Sequence, residues 1–412
     1  MVAKHSGVTR LPRSFTSWAI TASLSDVGDN AMYFALVWAA TAHGGASAGL
    51  VVSAITIPRT VLLLLGGVMA DRTGPRAVML ACDAALFTAT AALAIASWRL
   101  GSPLWLLLTG AFAVGVVTAF YLPASSSMPR RLVSDSLVPR AVAVRQSGLQ
   151  LAELSGGPLG GVLAAGLGFA AAAGINAFSF VPVLVVMVKS RTIRAAPAAE
   201  GPRRSVPREV ASGLALAVSQ PLIRVGLLLS AAAVIVVTPT GSVLIPLLVR
   251  QQHWAAAAAG LTLGAESVGG VVVALAVARV GTFSRPGGAA AAGLAVAAVG
   301  VALLAVSPSP AGVGAALVLG AGVALFTSHA FPLILTGTRP DHLSRVQSLL
   351  SIVQAVVLIP AAPLIGLSAN DAGVASTLVI CAGVLAAAAG VALLVSSWRD
   401  SRAASASDST AD

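Results

Sequence analysis

Ser25-Asp26-Val27-Gly28-Asp29-Asn30 sets two carboxylates three residues apart inside a run that is otherwise mostly apolar. On a helix that spacing points both to one side. Carboxyls withdrawn from water are groups with which a protein can take up and release protons. Glu153 and Glu266 are two more acids in apolar surroundings, and Arg59 is a cation in such a place. Asp29 lies roughly 22 Å along its helix, and Arg59 stands roughly 18 Å from the end marked by Asp71, at 1.5 Å per residue. The two therefore share a depth and are expected to pair. The pair serves proton transfer, or fixes one helix to the next as a structural ion pair; the two roles are compatible. For Glu153 and Glu266 a hydrogen-bonded packing role stays open beside the proton-carrying one. Arg224 is near an apolar edge, where its head can reach water. His329 stands alone and is expected to pack or to line a cavity.

Other chemistry lacks its residues. There is no glycine loop with lysine to cradle a phosphate and no His/Cys spacing for a metal, so no enzyme, cofactor or metal site is expected. Cys82 and Cys381 both lie in apolar segments and read as small hydrophobes.

The elements that must position these groups are set by composition. Charged residues make up 9% of the chain and apolar ones 57%, with a mean hydropathy of +0.93. Soluble domains carry about 25% charge, so this is an all-α integral membrane protein. The net charge of +11 comes from cations dispersed between apolar runs, which argues against nucleic acid. No cleavable signal peptide is visible. A membrane-crossing helix takes about 20 apolar residues. Spans are predicted at 14–41, 46–70, 77–97, 103–127, 142–167 and 171–188, then at 221–249, 255–278, 287–306, 311–336, 343–367 and 373–397. The expected organisation is a six-helix bundle over 1–188, a linker over 189–220, a second six-helix bundle over 221–398 and a disordered tail over 399–412. The linker carries Lys189, Arg191, Arg194, Arg203, Arg204 and Arg208. With both termini in the cytoplasm, all of the 25 Lys and Arg fall on that side except Arg99 and Arg250 outside and Arg59 and Arg224 within spans. The reverse orientation would invert this bias.

The halves repeat. Gln146-Ser147 and Gln347-Ser348 open the fifth and eleventh spans at an offset of 201, which also lays Glu153 over Gln354. Gln146, Gln150 and Glu153 form a polar stripe, as do Gln347, Ser351 and Gln354, so one face of each helix must meet water or protein rather than lipid. Such a repeat predicts a cavity between the halves at mid-membrane, reached alternately from either side.

Gly67-Val68-Met69-Ala70-Asp71-Arg72-Thr73-Gly74-Pro75-Arg76 carries the pattern G-x-x-x-D-R-x-G-x-R with each fixed position filled. Gly74 suits a tight reversal, Gly67 a close helix approach, and Asp71, Arg72 and Arg76 can bond the terminus of a neighbouring helix. The pattern resembles the loop between helices 2 and 3 of the major facilitator superfamily. Its counterpart, Ala278-Arg279-Val280-Gly281, has lost the acid. Gly157, Pro158 and Gly161 are similar to the G-P-x-x-G-G motif of that superfamily's antiporters, with Val162 in place of the last glycine. Asp29 in its Ser/Gly context, Pro58, Pro123 through Pro129-Arg130-Arg131-Leu132-Val133, and His342-Leu343-Ser344-Arg345-Val346-Gln347-Ser348 resemble the macrolide-efflux-like drug:proton antiporters. The fourth span lacks the Arg that many related antiporters carry near their proton site.

The resemblance implies a monomeric, proton-coupled exporter of amphipathic small molecules in the plasma (inner) membrane. Tyr33, Phe34, Trp38, Phe120, Tyr121, Gln150, Phe326, His329 and Gln354 would contribute to its substrate cavity. Asp29, Asp26, Arg59, Glu153 and Glu266 would couple protons, and Gly67, Asp71, Arg72, Gly74 and Arg76 would gate. A uniporter or importer of a small metabolite is the first alternative. A transport-inactive sensor or partner-binding membrane protein is the second, against which stands the absence of a sizeable soluble domain.

Overall fold

The computed structural model describes residues 11–189, 220–307, 311–336, 338 and 343–395. The predicted linker, apart from its two end residues, and the predicted tail fall outside them. The regular elements among the described residues are all helices, as lipid requires of a backbone that must satisfy its own hydrogen bonds. α1 (Arg13–Ala40), α2 (Gly45–Thr73), α3 (Pro75–Leu100), α4 (Leu104–Leu132), α5 (Val138–Gly166) and α6 (Gly168–Lys189) come first. After them come α7 (Pro221–Pro239), α8 (Ile245–Gln251), α9 (Ala256–Val280), α10 (Pro286–Val306), α11 (Ala311–Thr336), α12 (Leu343–Asp371) and α13 (Val374–Leu394). The bounds differ from the predicted spans by a few residues.

Punctuation follows the chain's own chemistry. α3, α7 and α10 open on proline, whose missing N–H costs nothing in a first turn. A single turn of wider π-helix, Thr240–Leu244, joins α7 to α8 where one continuous span was predicted. Pro246 has no N–H for the carbonyl four residues back, which loosens the ladder there.

Ten helical segments among the described residues are long and apolar enough to cross a membrane. α1 and α5 are the long helices that fall short of that measure, and they carry Asp26, Asp29, Arg140, Arg145 and Glu153. The protein is thus a multi-pass membrane protein in which two helices trade apolar surface for charge.

The helices form two compact units, Met1–Leu36 with Ile57–Gly201, and Val37–Thr56 with Pro202–Asp412. In the first, α3 packs on α4 and α6, around a core of Phe15, Trp18, Met79, Tyr121, Met128 and Met187. In the second, α11 packs on α9 and α10, α10 on α13, and α7 on α12. The tip of the α1–α2 hairpin belongs to this second unit. There Ser53 Oγ donates to Ile359 O at 2.7 Å, and Asn370 Oδ1 accepts from Gly45 N at 2.8 Å.

Candidate functional site

The charges of α1 are met from α5 and α6. Arg145 donates through both terminal nitrogens to Asp26, from Nη1 to Oδ2 and from Nη2 to Oδ1, the latter at 3.3 Å. A two-pronged guanidinium–carboxylate contact fixes orientation as well as charge. The guanidinium also lies over the ring of Trp18, 5.6 Å from its centroid. Gly156 and Gly160 bring α5 so close to α1 that a Cβ at either would strike Asn30, Ala31 or Phe34. That approach sets Arg145, 5% exposed, within reach of Asp26.

Asp29 turns to α6. Its Oδ1 accepts from Asn176 Nδ2 at 2.9 Å. Ser179 Oγ donates to Asn176 Oδ1 at 3.2 Å, which leaves the amide N–H free to face the carboxyl. The expected Asp29–Arg59 pair is therefore replaced by two other contacts. Equal depth is not enough: residues 26 and 29 are offset by about 60° around the helix, so one meets α5 and the other α6. Arg59 is exposed on α2.

A third carboxyl belongs to the same group. Asp83 of α3 is 1% exposed, and neither of its oxygens has a hydrogen-bond partner among the described residues. It lies within electrostatic reach of Asp29, Asp26 and Arg145. Asp83, Arg145 and Asn176 were all missed as site residues in the sequence. Asp83 interrupts Met79-Leu80-Ala81-Cys82 and Ala84-Ala85-Leu86, the signal that singled out Glu153 and Glu266. Arg145 lies inside the predicted span 142–167 yet is counted above with the cytoplasmic cations. Asn176 carries no charge and gave no signal. The cation that meets Asp26 comes from the fifth helix.

Along α5, Gln146, Gln150 and Glu153 form an exposed polar stripe about half a turn away from exposed Leu151, Leu159 and Val162. The apolar face suits lipid; the polar one needs water or protein. In the antiporter-like motif it is Gly156 and Gly160, beside Gly157 and Gly161, that meet α1. Pro158 lies within the continuous helix.

In the loop pattern Gly74 has φ +89°, as the reversal demands. Arg76 caps α6: Nε and Nη2 donate to Met187 O at 3.0 and 2.8 Å, and Nη2 to Val188 O at 3.0 Å. Asp71 and Arg72 are exposed. The expected close approach at Gly67 is not found; a Cβ there would meet nothing within 4 Å. Gly66 holds that place, with no room for a Cβ against Ala119 and Phe120 of α4. One residue turns the side chain by about 100°, which pattern matching does not resolve.

Of the residues expected around a substrate, Phe326 and Gln354 line a cavity of about 190 Å³ in the second unit, with Ser230, Thr238, Leu294 and Phe331. Glu266 lines an adjoining one. His329 does not line either. It is fully buried, its Nδ1 bonded to Leu325 O at 2.9 Å and its Nε2 accepting from Phe283 N at 3.3 Å, with its ring stacked on Phe283. Phe34 is packed between α1 and α5, and Tyr121 belongs to the core of the first unit. Helix faces that bury aromatics look the same in sequence as faces that line a cavity. Tyr33 and Phe120 are half-buried and Gln150 exposed. Trp38, in the second unit, carries the Arg250 guanidinium 4.4 Å from its ring centroid. Arg250 also donates to Thr41 Oγ1 at 2.7 Å and Trp38 O at 2.9 Å.

A multi-pass bundle with buried acids paired across helices is the architecture of a membrane transporter. The model of the Major Facilitator Superfamily matches residues 18–363, and the chain belongs to that family. Solved structures agree on the fold. The nucleoside transporter NupG is similar over 92% of this chain and 99% of its own, with a TM-score of 0.74 at 13% identity. A peptide transporter of the POT family in complex with sulfate covers 95% and 96%, with a TM-score of 0.72 at 14% identity. A POT family transporter in complex with 5-aminolevulinic acid covers 94% and 97%, at 0.70 and 11%. No curated protein matches the sequence. At such identities the likeness carries the fold and not the substrate.

Proposed function

We propose that this transporter exports amphipathic small molecules in exchange for protons, by alternating access, as a monomer in the plasma (inner) membrane with both termini in the cytoplasm. In this reading residues 1–188 and 221–398 are the two six-helix halves, joined by the 189–220 linker, and the branch is the macrolide-efflux-like one. The observation that supports it is the cluster of Asp26, Asp29 and Asp83 around one cation, Arg145. A buried anion without a counter-charge is costly, and one guanidinium can pair fully with one carboxylate. Asp26 has that pairing. Asp29, held by a neutral amide, and Asp83, without a hydrogen-bond partner among the described residues, are the groups free to gain and lose protons. Glu153, exposed in the same unit, relays protons to the cluster, Arg59 lies within its electrostatic reach as a fixed positive charge, and the Asp71 loop acts on the exchange between conformations.

The test is transport by the purified chain in vesicles against a panel of hydrophobic drugs. Dissipating the proton gradient should abolish accumulation, while ATP should have no effect. Accumulation that follows ATP or survives without the gradient would remove the coupling. An importer built on the same cluster would differ only in moving its substrate with the proton, and the direction of substrate movement in an imposed gradient decides between the two.

A further inference from the structure

Among the described residues of the second unit, Glu266 is an acid placed in the middle of an apolar helix. Glu266 of α9 has neither a hydrogen bond nor an ion pair among the described residues, and it lines a cavity of about 270 Å³ with Ser267, Gly270, Gly320, Val323, Ala324 and Thr327. Its position is imposed by backbone packing. Gly320 of α11 sits against the Glu266 carbonyl and Gly269 against that of Leu317, both with no room for a Cβ, so α9 and α11 cross in direct contact at this level. The side chain is turned toward the π-turn, where a Cβ on Gly241 would lie 3.5 Å from Glu266 Oε2. Two described cations of the same unit are distant or engaged. Arg279 is roughly 20 Å further along α9 at 1.5 Å per residue. Arg250 is spent on Trp38 and Thr41.

Val323 and Thr327 line this cavity and also the chamber of about 190 Å³ that holds Phe326, Phe331, Leu294 and Gln354. The two therefore adjoin through one wall of α11. Together they offer a carboxyl at one end and an apolar, partly aromatic chamber at the other, with Ser230, Thr238 and Gln354 as the chamber's polar groups. Ligand sites commonly combine such an apolar lining with a few placed polar groups. An acid in a low-dielectric wall attracts a cation far more strongly than it would in water, and aromatic faces accept the cation's flank.

We infer that these joined cavities are a binding site for amphipathic organic monocations, with Glu266 holding the cationic centre and Phe326, Phe331 and Gln354 the body. The inference rests on the transport reading above for its role and deepens it by naming the substrate class. It assigns substrate charge to the second unit and proton traffic to the first.

The experiment measures binding of benzyltrimethylammonium to the purified full chain in detergent, against its uncharged carbon isostere, neopentylbenzene. Wild type should prefer the cation at least tenfold. Glu266→Gln should remove that preference and leave binding of the isostere unchanged, while Glu266→Asp should keep part of it. Thermal unfolding of each variant reports folding, and Phe331→Ala, which keeps the acid, should weaken both ligands together. Equal affinity of the two ligands for wild type would overturn the site, as would a cation preference that survives in Glu266→Gln. Cation-induced proton release in vesicles separates the two readings. Binding at Glu266 without release would leave the site standing and remove antiport; release without cation preference would do the reverse.

Discussion

At the offset that relates the two halves, Arg145 of α5 corresponds to Val346 of α12, and Glu153 to Gln354. Arg145 and Val346 are both buried near the starts of their helices, yet one holds Asp26 and the other is aliphatic. Glu153 is exposed on a polar stripe, whereas Gln354 lines a cavity. Among the described residues, the same scaffold thus packs acids densely in the first unit and places Glu266 beside a cavity in the second. Burying several acids around one guanidinium makes a group whose charge is balanced only by protons. A lone acid facing a cavity is balanced only by what enters it. In the proposed reading the first unit serves protons and the second the substrate, and each variant below acts on one side of that division.

The largest effect should come from leaving Arg145 without Asp26. Removing one member of a buried ion pair costs about 3–5 kcal/mol, and replacing both with apolar residues is often neutral. Asp26→Leu should lower the unfolding temperature of the purified protein steeply, and Asp26→Leu with Arg145→Met should recover it without recovering transport. A single variant as stable as wild type would mean that the pair contributes nothing to the fold. The equivalent site of the second unit, being aliphatic already, has no such dependence.

Asp29→Asn should act on coupling instead. Asparagine keeps size and hydrogen bonding to Asn176, so stability and downhill exchange of substrate should survive while uphill accumulation is lost. Substrate-induced proton movement in vesicles, wild type against Asp29→Asn, measures it. Undiminished release in the variant would move the proton to Asp83, the other acid of the cluster without a cation of its own.

How far these roles could be read from the chain depends on what each residue's neighbours are. Helices were legible almost to their ends, because lipid admits few alternatives to long apolar runs. Asp26, Asp29 and Glu266 were legible as acids inside apolar runs, yet Glu153, read the same way, is exposed, and Asp83 was passed over although it satisfies the same criterion. Their pairing was not legible. Whether Asp29 meets Arg59 or Asn176 depends on helix rotation and on which helices touch, and Gly28, Gly156 and Gly160 set that by letting α1 approach α6 and α5 without room for a Cβ. The π-turn had its signal in Gly241 and Pro246, but a bulge of one turn leaves the hydropathy of a span unchanged.

A smaller effect is expected at Arg250, whose contacts hold the α1–α2 tip in the second unit. A cation over an aromatic ring contributes about 0.5–2 kcal/mol and is lost with the guanidinium. Arg250→Ala should therefore lower the unfolding temperature modestly and change the transport rate several-fold, with Arg250→Lys between the two. An Arg250→Ala chain with unaltered rate and stability would show that the clasp is incidental. Cation preference at Glu266 should be unchanged, since Arg250 already has its own contacts.

The smallest effect is expected from one glycine of a neighbouring pair. Gly66 lies against Ala119 and Phe120 with no room for a methyl group, and Gly67 has open space around it. Forcing atoms into a packed contact costs about 1–3 kcal/mol, while a surface change away from such contacts stays within about 0.5 kcal/mol. Gly66→Ala should thus destabilise the first unit measurably. Gly67→Ala should leave unfolding unchanged, and a helix interior even gains a little from alanine. Transport by Gly67→Ala is the sharper measurement. In this structure the residue touches nothing that a methyl group would disturb, so an unaltered rate is the expected outcome. A stable Gly67→Ala protein that transports slowly would overturn that reading: the loop pattern would then owe its first glycine to a close approach made in another conformation, and the gate rather than the fold would be where that residue acts.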